Sequence, residues 1–154
     1  MSQSRPETLT LVIAKLLTGL LFAFSTVSLH SQVAGASSLS YSVSEETTLS
    51  GTVLAVLPGP DRGMIMGSHL LVATVAGRVD VSLGRWGLRG NGALSVAVGQ
   101  QVTVTGVARV LRDKPVFLAR TVKANEKVYA IRNEYGIPVS PQARERAAQK
   151  GESR

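Results

Sequence analysis

The sequence specifies an all-β fold, a small closed barrel of five strands, and three features point to it. Between Leu49 and Ala124, short runs of alternating apolar residues are interrupted by glycine at strand-length intervals. Two of these runs share one design, with Gly51 inside Leu49 to Leu57 and Gly106 inside Val102 to Leu111. Glycine weakens a strand unless the backbone must bulge or bend there, as it does at the corner of a small barrel. Aromatic residues make up only 5% of the chain, so the core falls to Val, Leu and Ala, which suits pleated packing.

The segment before the barrel has a different character. Arg5 and Lys15 precede or interrupt an apolar run from Leu16 to Val27, and the chain then offers the small residues Ala34, Gly35 and Ala36. A charged start, a short apolar centre and small residues at the end form the order of a secretory signal, which predicts a signal peptide over residues 1–36. The alternative is an uncleaved membrane anchor over residues 9–29, long enough to span a bilayer and interrupted only by Lys15. Either reading exports the barrel, to the periplasm as the expected compartment. Membrane contact follows only from the second. Residues 37–46 form a serine-rich linker.

The strands follow in order. The first is expected from Thr47 to Leu57, stopped by the turn-forming cluster Pro58 to Gly63. The second runs from Ser68 to Val75, with Ala76 and Gly77 as a tight turn. In the third, Arg78 to Leu83, Val79, Val81 and Leu83 alternate with Arg78, Asp80 and Ser82. From Gly84 to Gly92 the chain is too rich in glycine for a stable helix, so a loop or single helical turn is expected to plug one barrel end. Strand four is expected from Val102 to Leu111. Arg112 to Pro115 connects it to strand five, Val116 to Val122. Five strands with a short plug between the third and fourth are the layout of an OB-fold. Val128 to Ile131 reads as a further strand or extended lash. The barrel with this extension covers 47–138. Residues 139–154 form a polar tail in which Ser140 and Pro141 could cap a short helix without an apolar face, expected to fray or stay disordered.

The chain has no cysteine, which excludes disulfides, thiolate metal sites and thiol nucleophiles. The net charge of +7 would favour an anionic partner, yet the cations are dispersed one or two at a time and no basic run occurs. His69 has no other His or Cys within ligand spacing, so no metal is expected. The glycines of 87–92 lack the lysine and hydroxyl residue of a phosphate loop. Asp61, Asp80, Asp113 and Glu134 are placed at turns or on a solvent face, and no nucleophile with a nearby base can be named. No enzyme activity and no cofactor are expected.

Several short motifs together carry a resemblance: Gly67 to Leu70, Val81 to Trp86, Val104 to Gly106, Ala119 to Val122, and Ile131 to Pro138. Across residues 48–138 the chain resembles a family of small exported bacterial OB-fold proteins of unknown function, and is similar to the OB-like domain of magnetosome proteins of the MamS and MamX type. The resemblance implies the fold and export, and no catalytic mechanism. Two departures stand out. Ser82 occupies a position where such proteins often carry histidine, and Val139 one where they often carry tryptophan.

The expected function is that of a non-catalytic exported binding or scaffold module for a protein, polysaccharide or small ligand of the cell envelope. The candidate ligand-binding residues are His69, Arg78, Arg85, Trp86, Arg89 and Arg120. The partner would be an envelope protein or an anionic ligand. Sequence-nonspecific nucleic-acid binding is the alternative. It ranks second because no aromatic ring lies between Ser68 and Leu83, where bases would stack in an OB-fold.

Overall fold

The computed structural model describes residues 41–152. The signal or anchor segment and the start of the linker lie outside the described residues. The elements are a single 3-10 turn (Val43–Glu45), β1 (Thr47–Leu57), β2 (Ser68–Thr74), β3 (Gly77–Gly84), β4 (Gln101–Leu111), β5 (Lys114–Ala124), β6 (Lys127–Ala130) and α1 (Pro141–Glu152). The strand order is β3-β2-β1-β4-β5-β6, and a further pairing of β3 with β5 closes the first five strands into a barrel. Consecutive neighbours in this order are antiparallel; the closing pair is parallel, through Val81 with Phe117 and Ser82 with Leu118.

β1 is the strand around which the barrel turns. Its first half, Thr47 to Thr52, pairs with β4, and its second half, Thr52 to Leu57, pairs with β2. Gly51 sits where β1 passes from one partner to the other, and a Cβ there would lie 2.1 Å from the Ala73 carbonyl oxygen. Gly106 has the same role on β4: a Cβ would lie 2.1 Å from the Leu118 carbonyl oxygen. There the register with β5 shifts, so that Thr105 faces Thr121 while Gly106 faces Ala119. A second irregularity falls between Val53 and Ala55, after which β1 continues along β2.

Alternation then sorts the side chains. Val53, Leu70, Val72, Val81, Leu83, Val104, Ala119 and Val122 are fully buried in the core, joined by Phe117, Tyr129 and Ile131. The stretch between β3 and β4 forms turns rather than a helix, and its Leu94 reaches into the same core with Leu88 and Val96 packed against it. Val53 exchanges backbone bonds with the end of this stretch, donating to Gln100 and accepting from Gly99.

The observed hairpins are tighter than the sequence suggests. Arg112 and Asp113 alone connect β4 to β5, and Asn125 and Glu126 alone connect β5 to β6, all four with positive φ. Two central residues with positive φ form the turn whose twist matches that of flanking strands. Pro115 therefore lies within β5, opposite Val110, rather than in the connection.

After β6 the chain folds back on itself. The Ile131 and Arg132 amides both donate to the Arg120 carbonyl, and Val139 N–H donates to Ile131. The Asn133 side chain accepts from the amides of Tyr135 and Ile137, fixing the turn between them. Ser140 caps α1 by accepting from Ala143 N–H at 3.2 Å, and the helix continues past Gly151. With no apolar face, its first turns are held by polar contacts instead. Arg144 donates to the carbonyls of Trp86, Arg89 and Asn91, and Asn91 donates to Glu145.

Candidate functional site

The period-two pattern of β2 and β3 sends Leu70, Val72, Val81 and Leu83 into the core, so His69, Asp80 and Ser82 face the opposite side. A polar face on a small barrel is ordinarily solvated. Here His69 and Ser82 are 0% exposed and Arg132 is 7% exposed. Two segments form contacts there: the β1–β2 loop, through the Ile65 carbonyl, and the chain after β6, through Arg132. The result is a small buried polar cluster outside the apolar core.

Within it, His69 is bound at both ring nitrogens. Nδ1 lies 2.6 Å from Asp80 Oδ1, and Nε2 lies 2.9 Å from the Ile65 carbonyl oxygen. A carbonyl and a carboxylate only accept, so both nitrogens must carry protons to make both bonds. Burial lowers the pKa of the ring, but the bonds to Asp80 and Ile65 and the charge of Asp80 outweigh it, and the balance lies above the ordinary histidine value. The Arg132 charge opposes this.

Arg132 occupies the seam at which the barrel closes. Its Nη1 donates to the carbonyls of Ser82 and Ala119, each at 2.7 Å, and its Nη2 donates to Ser82 Oγ at 3.0 Å. Burial pushes its pKa down to about 10, which leaves it charged at neutral pH. Nearby, Glu46 accepts from Arg120 through Nε and, at 2.7 Å, through Nη2, and from Tyr41 Oη at 2.6 Å. The Arg120 bond holds the Glu46 carboxyl below its ordinary value, while burial and the bond to Glu46 raise the Tyr41 hydroxyl. Arg109 pairs with Glu45 in the 3-10 turn.

Ser82, His69 and Asp80 are the residue types of a nucleophilic triad, yet they are not arranged as one. The ring nitrogen that would act as base is bound to Ile65, and the Ser82 hydroxyl accepts from Arg132. Of the three side chains only His69 reaches backbone, at Ile65, while Asp80 bonds the His69 ring.

The candidate residues read from sequence thus separate. His69 belongs to the buried cluster and Arg120 to the ion pair with Glu46. Arg78 is exposed at the start of β3, opposite Ala73. Arg85, Trp86 and Arg89 gather on the connection after β3. The exposed Arg85 guanidinium lies 5.6 Å from the half-buried Trp86 ring, and the carbonyls of Trp86 and Arg89 accept from Arg144. Asp80 corrects one expectation: it is not on a free solvent face, because its side chain is 20% exposed and bound to His69. Sequence reasoning missed Glu46, Arg132 and Arg144. Only the alternation of β3, which places Asp80 and Ser82 on the side of His69, could have signalled the cluster.

Among the described residues no group of three or more His, Asp or Glu side chains could hold a metal ion, and no helix is long and apolar enough to cross a membrane. No curated protein and no solved structure matches the chain. A family model does match, over residues 45–129, a span that runs from the 3-10 turn through all five barrel strands into β6. The chain belongs to the MamS/MamX magnetosome protein family.

Proposed function

We propose that this protein is a non-catalytic binding or scaffold module of OB-fold type, exported and acting in the cell envelope or at the magnetosome its family name indicates. The observation that carries this reading is the use made of the polar groups. His69, Ser82, Arg120 and Arg132 all direct their hydrogen bonds at backbone or at partners that fix the fold. The sheet order, closed by β3 on β5, supports the OB-fold type, with the β3–β4 connection as its plug. The binding end is assigned to that connection, where Arg85 and Arg89 are exposed beside Trp86 and an anionic or polar partner would meet two cations and an indole.

Trp86 is the sole tryptophan, so its fluorescence reports directly on that end. The test introduces a photo-crosslinking residue at Arg85 or Arg89, and at Lys127 on the β5–β6 hairpin, in the full chain in its native envelope. The expected result is a discrete adduct from 85 and 89, absent from 127 and lost in Trp86→Ala. Equal labelling from all three positions rules out a binding end here. A fluorescence titration with a labelled single-stranded oligonucleotide in physiological salt is expected to show no saturable binding. Of the described rings, Phe117 and Tyr129 are buried, and stacking needs exposed faces.

A further inference from the structure

We propose that His69 is a proton-operated latch that fastens the β1–β2 loop to the barrel and releases it when the ring loses a proton. This goes beyond the binding reading and does not depend on it.

The argument begins with what the loop lacks. Residues 58–63 are exposed, and Met64 and Ile65 are half-buried. Within the loop, Met64 N–H donates to Asp61, a local turn bond that ties it to nothing else. From outside, Lys114 Nζ reaches the Arg62 carbonyl at 3.5 Å on the exposed surface, and the buried His69 ring meets the half-buried Ile65 carbonyl through Nε2 at 2.9 Å. Of these two tethers, the histidine bond is the shorter and the less exposed.

Position makes the bond conditional. His69 lies at the start of β2, beside a register irregularity between Ser68 and His69, and is 0% exposed. Its two acceptors come from different elements, Asp80 from β3 and Ile65 from the loop. The other charged group acting on it is Arg132, from the chain after β6. The doubly protonated ring satisfies both acceptors and neutralises Asp80. A ring with one proton satisfies only one. If Nδ1 is bare, its lone pair faces a carboxylate oxygen at 2.6 Å; if Nε2 is bare, its lone pair faces the Ile65 carbonyl. The first arrangement sets a lone pair against a full negative charge, so the proton retained is the one on Nδ1. The bond to the loop is the one lost.

The sign follows from linkage. The folded-state pKa lies above the ordinary 6.5, so the latch contributes fully below 6.5 and is lost as pH rises through the folded value.

The test uses the full chain, with NMR shifts of the His69 ring and of the Ile65 carbonyl carbon and hydrogen exchange at the hydrogen-bonded Met64 amide, followed across about pH 5 to about pH 9. The expected result is a fall in protection of about tenfold or more, corrected for intrinsic exchange, with the same midpoint as the ring titration. Asp80→Asn supplies the decisive comparison. An asparagine amide donates to a neutral Nδ1, which leaves Nε2–H on Ile65 at every pH. The variant should therefore keep the loop protected and lose the pH dependence. A ring that titrates while loop protection stays flat overturns the latch, and so does an Asp80→Asn protein whose loop opens with the wild-type profile.

Discussion

Arg132 and Ser82 are joined twice, once through the Ser82 carbonyl and once through its hydroxyl, by the two terminal nitrogens of a single guanidinium. The nitrogen that takes the Ser82 carbonyl also takes that of Ala119. β3 and β5 pair over only two residues on each strand, so much of the closing seam is bridged by a side chain from outside the barrel. The planar fork of arginine suits this task, since it presents several donors at fixed angles.

Arg132→Met should therefore open the seam. It leaves two carbonyls and a hydroxyl buried without their donor, and each such group costs about 1–3 kcal/mol. The expected loss is at least about 3 kcal/mol in a denaturant melt, with Arg132→Lys in between because a point charge cannot reach all three acceptors. A loss of under about 1 kcal/mol in the methionine variant would show that strand pairing alone closes the barrel.

How much of this was legible in the sequence divides along physical lines. Strand positions were readable because period-two alternation and glycine act locally: the expected β1 coincides with the observed Thr47–Leu57, and β2 and β4 differ by one residue. The motif Ile131 to Pro138 was visible as a string, but its purpose was not, because Arg132 meets Ser82 across 50 residues of chain. The same holds for Glu46 and Arg120, 74 residues apart. His69 reads as a ligand-binding candidate because nothing in its neighbourhood announces that a loop and an arginine bury it. Arg85, Trp86 and Arg89 stay together in the structure because they are nearly consecutive in the chain.

The two strand glycines can be separated from an ordinary one. Gly51 has φ in the usual range, so the obstacle to a side chain is the Ala73 carbonyl, 2.1 Å from where Cβ would sit, with Val72 at 2.8 Å. Backbone cannot step aside as a flexible side chain can. Gly51→Val should lower the thermal midpoint despite the better strand propensity of valine, by an amount equivalent to about 1–3 kcal/mol or more. Gly59, in the β1–β2 loop with nothing within 4 Å, is the control. Gly59→Ala is expected to be neutral or to stabilise by up to about 1 kcal/mol. An unchanged or raised midpoint in Gly51→Val removes the close-approach argument.

Acid sensitivity should trace to Glu46. Its pKa is lowered chiefly by the hydrogen bond from Arg120, with Tyr41 adding to it against the opposing effect of burial. A carboxyl whose folded value is depressed contributes stability above its unfolded value of about 4.5, and that contribution is lost as pH falls through the folded value. Melting curves taken between neutral pH and about pH 3 should show wild type losing more stability than Glu46→Gln, the two converging at the acid end. Parallel curves would place the acid-sensitive group elsewhere.

The two hairpin turns offer the opposite kind of test, in which a substitution should help. Arg112 has φ of 52° and Glu126 φ of 63°, in the left-handed region that costs an L-residue with a Cβ about 1–2 kcal/mol. Their partners Asp113 and Asn125 tolerate that region better, since short polar side chains can bond locally. The turns persist because two-residue connections of this hand match the strand twist and hold the register of β4 with β5 and of β5 with β6. Glu126→Gly converts the second turn to Asn-Gly, the pairing this geometry favours most. Glycine also frees the unfolded chain, which returns roughly 0.5–1 kcal/mol of the gain. The net expectation is a small stabilisation, up to about 1 kcal/mol, with the β5–β6 amide pairing unchanged by NMR. Arg112→Asn should act in the same direction on the first turn. A lowered midpoint in both would mean that the long side chains of Arg112 and Glu126 stabilise the hairpins by more than their backbone conformation costs.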